Sequence, residues 1–416
     1  MSYNGVGVNA MTNIRELTDY CLSCPRPRCE TGCPTGNHIR DFIKYLKEDD
    51  LAGAAHTLYD VNPFPELTSR LCDCERQCQG HCVRGIKGEP VSIQEIERYI
   101  SDQAKRDLQA GDDCGKKAAL IGAGPACLAA AIDLRKAGFT VDIYEKLDSC
   151  GGAILSGIPG YRFDKAYLVQ IEKELKEIGV NFHFRTEVGK DISTEELLNT
   201  YDCVLAGIGA QVENTYGLHA SQGCEAGLGL LYNLNILGMH EDYKKKYKGA
   251  VVWGGGNVAM DCARSMIRIL DEVTVIYRRS RAEMPANRDE IEDAINEGVR
   301  FAFLENIKEL ITDEQGRVTG ARCVKMELGE PDESGRRSTH EIPGSEYEIS
   351  CELVVPAIGQ KVSLACLGAD VHLTEGHQTD IPKVYVCGDA RLGPKTVAAA
   401  IRDGREAASE IISALA

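Results

Sequence analysis

Twice in this chain a short apolar strand runs into a glycine turn and straight out into a helix. The first copy is KKAALIGAGPACLAAAIDLRKAG, followed by VDIYEK. The second is KKYKGAVVWGGGNVAMDCARSMIRIL, followed by VTVIYRRS. Their first glycines, Gly122 and Gly254, stand 132 residues apart. A strand that must turn at once into a helix belongs to a βαβ unit on a parallel sheet. The same grammar returns near the end, in IPKVYVCGDARLGPKTVAAAIRDGREAASEI. The repeat therefore predicts an α/β chain with two Rossmann-like nucleotide-binding units.

Each turn carries chemistry. Gly122 permits the tight turn, and Gly124 lets a pyrophosphate approach the backbone. The helix opening at Pro125 offers free N–H groups and a favourable dipole to phosphate. Glu145 lies 21 residues beyond Gly124, at the end of the second strand, where an acid accepts hydrogen bonds from ribose hydroxyls. The third fingerprint position is Cys127, larger than the usual glycine and read as a packing residue rather than a redox group. The second turn repeats the pattern with Gly254, Gly256, Asn257, Val258 and Ala259. Its second strand ends not in an acid but in Arg278 and Arg279. An acid would repel a 2′-phosphate, whereas guanidinium groups clamp one. The second unit is thus expected to take NADP(H), and the first an adenosine ribose without phosphate, such as that of FAD. The candidate flavin set is Gly122, Gly124, Pro125, Cys127, Glu145, Lys146, Gly152, Gly388, Asp389, Thr396 and Val397. In it, Asp389 is placed for the ribityl chain and the helix from Thr396 for the pyrimidine ring. Two dinucleotide sites in one chain imply hydride transfer between two cofactors, so no catalytic triad is expected.

The other feature is sulfur. Of 18 cysteines, eight fall between Cys21 and Cys82: Cys21, Cys24, Cys29 and Cys33, then Cys72, Cys74, Cys78 and Cys82. Disulfide scaffolds belong to small oxidised domains, and this chain has 416 residues. The opening MSYNGVGVNAMTNIREL has neither a basic n-region nor an apolar h-region, so a cytoplasmic location is expected. The thiol spacings suit iron–sulfur clusters or zinc. A neighbouring flavin favours iron–sulfur, because a two-electron carrier beside one-electron carriers has an evident use. A zinc-stapled flavoprotein acting as a binding or scaffold module is the alternative of another class. The net charge of −16 argues against nucleic acid or an anionic membrane surface as partner. The region 15–106 is nearly balanced in charge, and is therefore the least repulsive face for an acidic partner.

Taken together, CLSCPRPRCETGCP, NPFPELTSRLC, GEPVSIQEIER, GAGPACLAAA, GGAILSGIP, GGGNVAMD, YRRSRAEMPA, AIGQ and GDA resemble the small (beta) subunit of bacterial glutamate synthase. They also resemble its relatives, the Nfn large subunit and the N-terminal half of dihydropyrimidine dehydrogenase. The resemblance spans roughly residues 18–412. It implies two [4Fe–4S] clusters with crossed ligation, one on Cys21, Cys24, Cys29 and Cys82, the other on Cys33, Cys72, Cys78 and Glu97. Cys74 is left over. It also implies an N-terminal α-helical double-cluster domain followed by two nested Rossmann-like domains of glutathione-reductase type. The expected boundaries are 1–115 for the helical domain, 116–210 with 352–416 for the FAD domain, and 211–351 for the NADP(H) domain. The implied path runs from NADPH through FAD and the clusters to a partner subunit, or the reverse. An Nfn-type electron-bifurcating subunit exchanging electrons with ferredoxin or NADH is the alternative.

Overall fold

The computed structural model describes residues 10–331, 336–368 and 371–416. Residues 1–9, 332–335 and 369–370 lie outside the described residues. Two compact units emerge. One comprises 1–152, 163–210 and 362–416; the other comprises 153–162 and 211–361.

The first unit opens with short helices. In Ile39–Lys47 the apolar residues fall at i, i+3, i+4 and i+7, so Ile39, Phe42, Ile43 and Leu46 form one buried stripe. Asp50 caps the next helix, Leu51–Val61, by accepting from Gly53 N at 2.8 Å. These helices pack with Ile93–Gln103 around Leu58, Val91, Ile96 and Ile100, and six of the eight clustered cysteines join that core. The sequence pattern suggests that the last helix runs on through AKRDLQ, yet it stops at Gln103. The reason is Arg106, which turns inward to pair with Glu66 and Glu174 and to donate to the carbonyl of Pro63. Burial works against this guanidinium, but the two carboxylates hold it charged.

The rest of the first unit is a parallel sheet in the order Val384–Val386, Cys203–Ala206, Lys117–Ile121, Thr140–Glu145, Val180–Phe184. The strand Lys117–Ile121 is central and buried from Ala118 onward, as a strand covered on both faces must be. The helices Pro125–Lys136 and Val397–Leu415 pack closely. At Gly404, a Cβ would meet the carbonyl oxygen of Ala126 at 2.0 Å.

The second unit has its own parallel sheet, ordered Leu353–Pro356, Gly249–Trp253, Glu272–Tyr277, Arg300–Phe303. An antiparallel sheet built on the long strand Val318–Pro331 lies beside it, pairing with Glu305–Thr312, Arg337–Glu341 and Tyr347–Ser350. Segment 153–162 belongs to this unit. Its Arg162 is paired with Asp261 at 2.7 Å and Glu290 at 2.6 Å. Among the described residues, no helix is long and apolar enough to cross a membrane.

Candidate functional site

The clustered thiols sort themselves into two groups. Cys21, Cys24, Cys29 and Cys82 line one small pocket, walled by Ile39, Ile43, Val91 and Ile93. Burial pushes the Cys29 thiol up to about 12, and Cys82 and Cys21 are among the neighbours that raise it further. Cys72 and Cys78 are each pushed up by burial first, then by Glu97, with Cys33 and Cys74 also contributing. Each group thus interacts within itself. The second group includes Cys74 beside Cys33, Cys72 and Cys78. Where burial opposes ionisation, as at Cys29, Cys72 and Cys78, a thiolate is poorly held alone but well held by a cation that supplies the missing charge.

Glu97 is buried beside the second group, and burial raises its carboxyl to about 7 against the opposing pull of Thr68 and Asn62. Thr68 Oγ1 donates to Glu97 Oε1, and Asn62 Nδ2 donates to the same oxygen at 3.2 Å. Asn62 is itself fixed, because its Oδ1 accepts from Phe64 N at 3.1 Å. No hydrogen bond within the described residues reaches Oε2, so one oxygen is anchored and the other is not. Cys74 donates its thiol to Gln94 Oε1 at 3.1 Å, a bond that a ligating thiolate could not make. Thr68, Asn62 and Gln94 carry no sequence signature of their own; they stand out only once the fold brings them to Glu97 and Cys74.

At the first glycine turn, Gly122 has φ +94°, and a Cβ there would sit 2.8 Å from the carbonyl oxygen of Gly207. Over Gly124 the space is open, with nothing nearer than 4.0 Å to an added Cβ. That is the cradle a pyrophosphate needs, next to the N-terminus of the helix begun by Pro125. Gly152 closes over the same glycine, 2.9 Å from Gly124 Cα by the same measure. Glu145 is buried and locked: Ala123 N donates to Oε2 at 2.7 Å and Leu147 N to Oε1 at 2.9 Å. Its remaining lone pairs are available to hydroxyl donors. Lys146 is exposed. Gly388, φ +66°, packs on Ala126, so the late GDA motif meets the fingerprint helix. Asp389 is half-buried, accepts from Lys395 N at 3.0 Å and has its carboxyl raised by burial. Thr396 caps the helix that Val397 begins. Cys127 is fully buried, and its Sγ would lie 2.5 Å from a Cβ on Gly207. The glycine missing from the fingerprint is thus supplied across the packing interface by Gly207. One residue not foreseen from the sequence controls this region: Asp403, whose Oδ2 accepts from Gly388 N at 2.7 Å while its Oδ1 accepts from Arg391 and His377.

At the second turn, an added Cβ on Gly254 would meet the carbonyl oxygen of Ala357 at 2.2 Å, whereas Gly256 faces open space. Asn257 Oδ1 accepts from Asn287 N at 2.9 Å, and Ala259 is buried beside Gly254, with Val258 next to it in the helix. Arg278 is exposed, and burial, Arg279 and Arg336 each push its pKa down. Arg279 is 5% exposed and donates Nε to the carbonyl of Arg337 at 2.7 Å. Its Nη1 has no partner among the described residues. A buried guanidinium N–H with no acceptor among the described residues, next to a second guanidinium, fits an anionic group.

Residues 7–108 match the family described as dihydropyrimidine dehydrogenase domain II, 4Fe-4S cluster, and residues 116–404 match the pyridine nucleotide-disulphide oxidoreductases. The chain is 34% identical to the glutamate synthase [NADPH] small chain of Escherichia coli, over 95% of this chain and 90% of that one. It is 35% identical to the NADP(+)-dependent formate dehydrogenase subunit beta of Moorella thermoacetica, over 92% of this chain but only 59% of that longer one. Mycobacterium tuberculosis FprA in complex with NADPH shares the fold alone, with a TM-score of 0.64 at 20% identity over 72% of this chain and 84% of that one. The chain belongs to the glutamate synthase small-chain family: it is an iron–sulfur flavoprotein of the pyridine nucleotide-disulphide oxidoreductases, an electron-transfer subunit with a 4Fe-4S domain at its N-terminal end.

Proposed function

We propose that this chain binds two [4Fe–4S] clusters, FAD and NADP(H), and exchanges electrons between NADPH and a partner subunit. When bound, the nucleotide and flavin supply hydride transfer and the clusters single-electron transfer. The chain's residues bind and orient. Cys21, Cys24, Cys29 and Cys82 hold one cluster, and Cys33, Cys72, Cys78 and Glu97 Oε2 the other. Gly122, Gly124 and Gly152 leave room for the FAD pyrophosphate, and Glu145 accepts from its ribose. Asp403 fixes the Gly388 backbone so that Asp389 and the helix from Thr396 face the flavin. Gly254 and Gly256 admit the second nucleotide, and Arg278 with Arg279 Nη1 holds its 2′-phosphate. The boundaries are 1–115 for the iron–sulfur domain, 116–210 with 352–416 for FAD, and 211–351 for NADP(H).

The observation that carries this reading is the division of the thiols into a four-cysteine pocket and a second group, Cys33, Cys72, Cys78 and the Gln94-bonded Cys74, beside a hydrogen-bonded Glu97. The relatives named as a small chain and a subunit beta support a partner subunit. The test is composition. Anaerobically purified protein is expected to hold about eight irons and eight acid-labile sulfides per chain, with one FAD. Cys24→Ser is expected to lower the iron content by half. Zinc, or about four irons in the native chain, would refute the two-cluster reading.

A further inference from the structure

The turn Thr215–Leu218, in the second unit, carries a residue that its geometry does not favour. Leu218 N donates to Thr215 O at 3.0 Å, and the residues between them, Tyr216 and Gly217, have φ of +48° and +78°. Two successive positive φ values mark a type I′ turn, whose central positions favour Asn, Asp or Gly because a bulky side chain is strained there. Gly217 fits, and Tyr216 does not. Asn214 Oδ1 accepts from Tyr216 N at 3.1 Å and holds the conformation. Of the six non-glycine residues with positive φ among those described, Tyr216 is the only aromatic one. Burial does not offset the strain. Tyr216 is 65% exposed, more than any other aromatic ring among the described residues, whereas Leu218 is buried in the core with Trp253 and Ile276.

The turn stands where the parallel sheet ends. Asn214 N donates to Gly359 O at 3.1 Å and Glu213 pairs with Gln360, so the residues before the turn are bound to the loop that leaves strand Leu353–Pro356. The Tyr216 ring centre lies 6.0 Å from that of Trp253, the planes tilted by 52°. Trp253 ends the neighbouring strand, Gly249–Trp253, immediately before Gly254, and its indole N–H donates to Asn306 Oδ1 at 2.9 Å. Arg278 follows the third strand, Glu272–Tyr277. Burial and Arg279 lower its pKa, and Tyr216 is the neighbour that opposes them most. One exposed ring thus stands at the C-terminal ends of three adjacent parallel strands, where a doubly wound sheet binds its ligand.

With the 2′-phosphate on Arg278 and Arg279, the adenine is bonded to the adjoining carbon of the same ribose, so the base lies close to Arg278. Neither the glycines nor the guanidinium groups offer a surface for its face. We propose that Tyr216 stacks on the adenine of NADP(H) and sets the affinity of this site for the adenosine half of the nucleotide. The proposal rests on the assignment of the second unit to NADP(H). Stacking reads the base and not the phosphate, so Tyr216 acts alike on nucleotides with and without a 2′-phosphate, whereas Arg278 tells them apart. The strained turn is what keeps the ring at the site and out of the core.

The test compares Tyr216→Phe, Tyr216→Asn and Arg278→Ala in the full chain as purified with its cofactors. Asparagine is a residue that the turn prefers, so Tyr216→Asn removes the ring without burdening the fold. The probes are 2′,5′-ADP and 5′-ADP, which carry adenine with and without a 2′-phosphate and lack nicotinamide; their binding is measured by titration calorimetry. Tyr216→Asn is expected to weaken both probes by the same factor, roughly fivefold to a hundredfold, the worth of one stacked base. Its unfolding midpoint should stay at or above the native one. Tyr216→Phe should bind both probes as the native chain does, and Arg278→Ala should weaken 2′,5′-ADP alone. Native affinities in Tyr216→Asn beside an impaired Arg278→Ala would overturn the stacking role and leave the 2′-phosphate site standing. A fall in stability together with affinity would make the turn structural, and loss confined to 2′,5′-ADP would place Tyr216 on the phosphate; either overturns the proposal. Failure of the native chain to bind 2′,5′-ADP, or an Arg278→Ala variant that binds it natively, would instead overturn the NADP(H) assignment itself.

Discussion

Arg106→Met should loosen the joint between the iron–sulfur helices and the flavin half of their unit. Arg106 is enclosed by Glu66, Glu174 and the carbonyl of Pro63, with the Phe64 ring 5.2 Å from its guanidinium carbon. Methionine keeps much of the stem's packing but removes the charge. Glu66 is then a carboxylate 5% exposed whose Oε2 already lacks a partner among the described residues. It must stay ionised and unpaired, or take a proton. Holding a carboxyl of ordinary pKa ~4.3 neutral at pH 7.5 costs ~1.36 kcal/mol per pH unit, or roughly 4 kcal/mol. Breaking a buried ion pair by removing one partner typically costs about 3–5 kcal/mol, so both routes agree. At about 2 °C per kcal/mol for a unit of this size, the unfolding midpoint should fall by roughly 8 °C. The sign with pH follows. In the variant, the folded-state pKa of Glu66 lies above its unfolded value, so the destabilised ionised form loses weight as pH falls. The deficit should therefore shrink between pH 8 and pH 6. Adding Glu66→Gln should recover part of it at pH 8. The assay is calorimetry with limited proteolysis between residues 104 and 116. A midpoint within about 2 °C of the native protein at pH 8, or no rescue by Glu66→Gln, would refute the reasoning.

Three further outcomes are expected. Gly207→Ala forces a Cβ onto Cys127 Sγ at 2.5 Å and Cys387 Sγ at 3.2 Å, so it should cost about 1–3 kcal/mol and release FAD. Combined with Cys127→Gly it should be milder than the sum by about 1–2 kcal/mol, read by flavin retention in a double-mutant cycle; strict additivity would separate the two residues. Arg278→Ala should lower kcat/KM for NADPH roughly tenfold to a hundredfold, the worth of one charge-assisted contact at about 1.5–3 kcal/mol. It should leave NADH nearly unchanged, and equal loss with both nucleotides would remove Arg278 from the 2′-phosphate site. His377 donates to Glu410 at 3.0 Å and Asp403 at 3.2 Å; burial by itself lowers its pKa, but the two carboxylates outweigh burial and raise it. Its contribution to stability should be complete below the unfolded value of about 6.5 and lost as pH rises through the raised folded value. His377→Gln should flatten the midpoint–pH profile in that window, and an unchanged profile would show that the pair does not stabilise.

What could be read from the sequence shares one property: it was fixed by local geometry. Gly122 and Gly254 announce themselves because a positive φ and a carbonyl within 3 Å leave no room for another residue. The buried stripe of Ile39, Phe42, Ile43 and Leu46 follows from a helical period. The thiols are legible because metal ligation is set by atom type and spacing. What escaped was fixed by distant contacts. HIRDFIKYLK and SIQEIERYISDQAKR look equally helical, and only the second is cut short, because the partners of Arg106 lie 40 and 68 residues away. Asp403 looks like a polar residue on a helix until Gly388 N is found 2.7 Å from it.

Cys127 shows why a departure from a fingerprint cannot be judged at its own position. A glycine normally stands there to let helix and strand approach. Cys127 adds a CH₂–SH group at that contact, yet helix Pro125–Lys136 still packs with Ala126, Cys127 and Leu128 all buried. The room comes from Gly207, at the end of the neighbouring strand, where an added Cβ would collide with Cys127 Sγ, and from Cys387, whose thiol lies against Cys127 and is pushed well up, first by that hydrogen bond and then by burial. Three small residues on three elements thus share one volume that a single glycine usually opens. Because the volume is shared, the cost of any one change depends on the other two. The open space over Gly124 is therefore held by packing among Cys127, Gly207 and Cys387, not by the fingerprint helix alone.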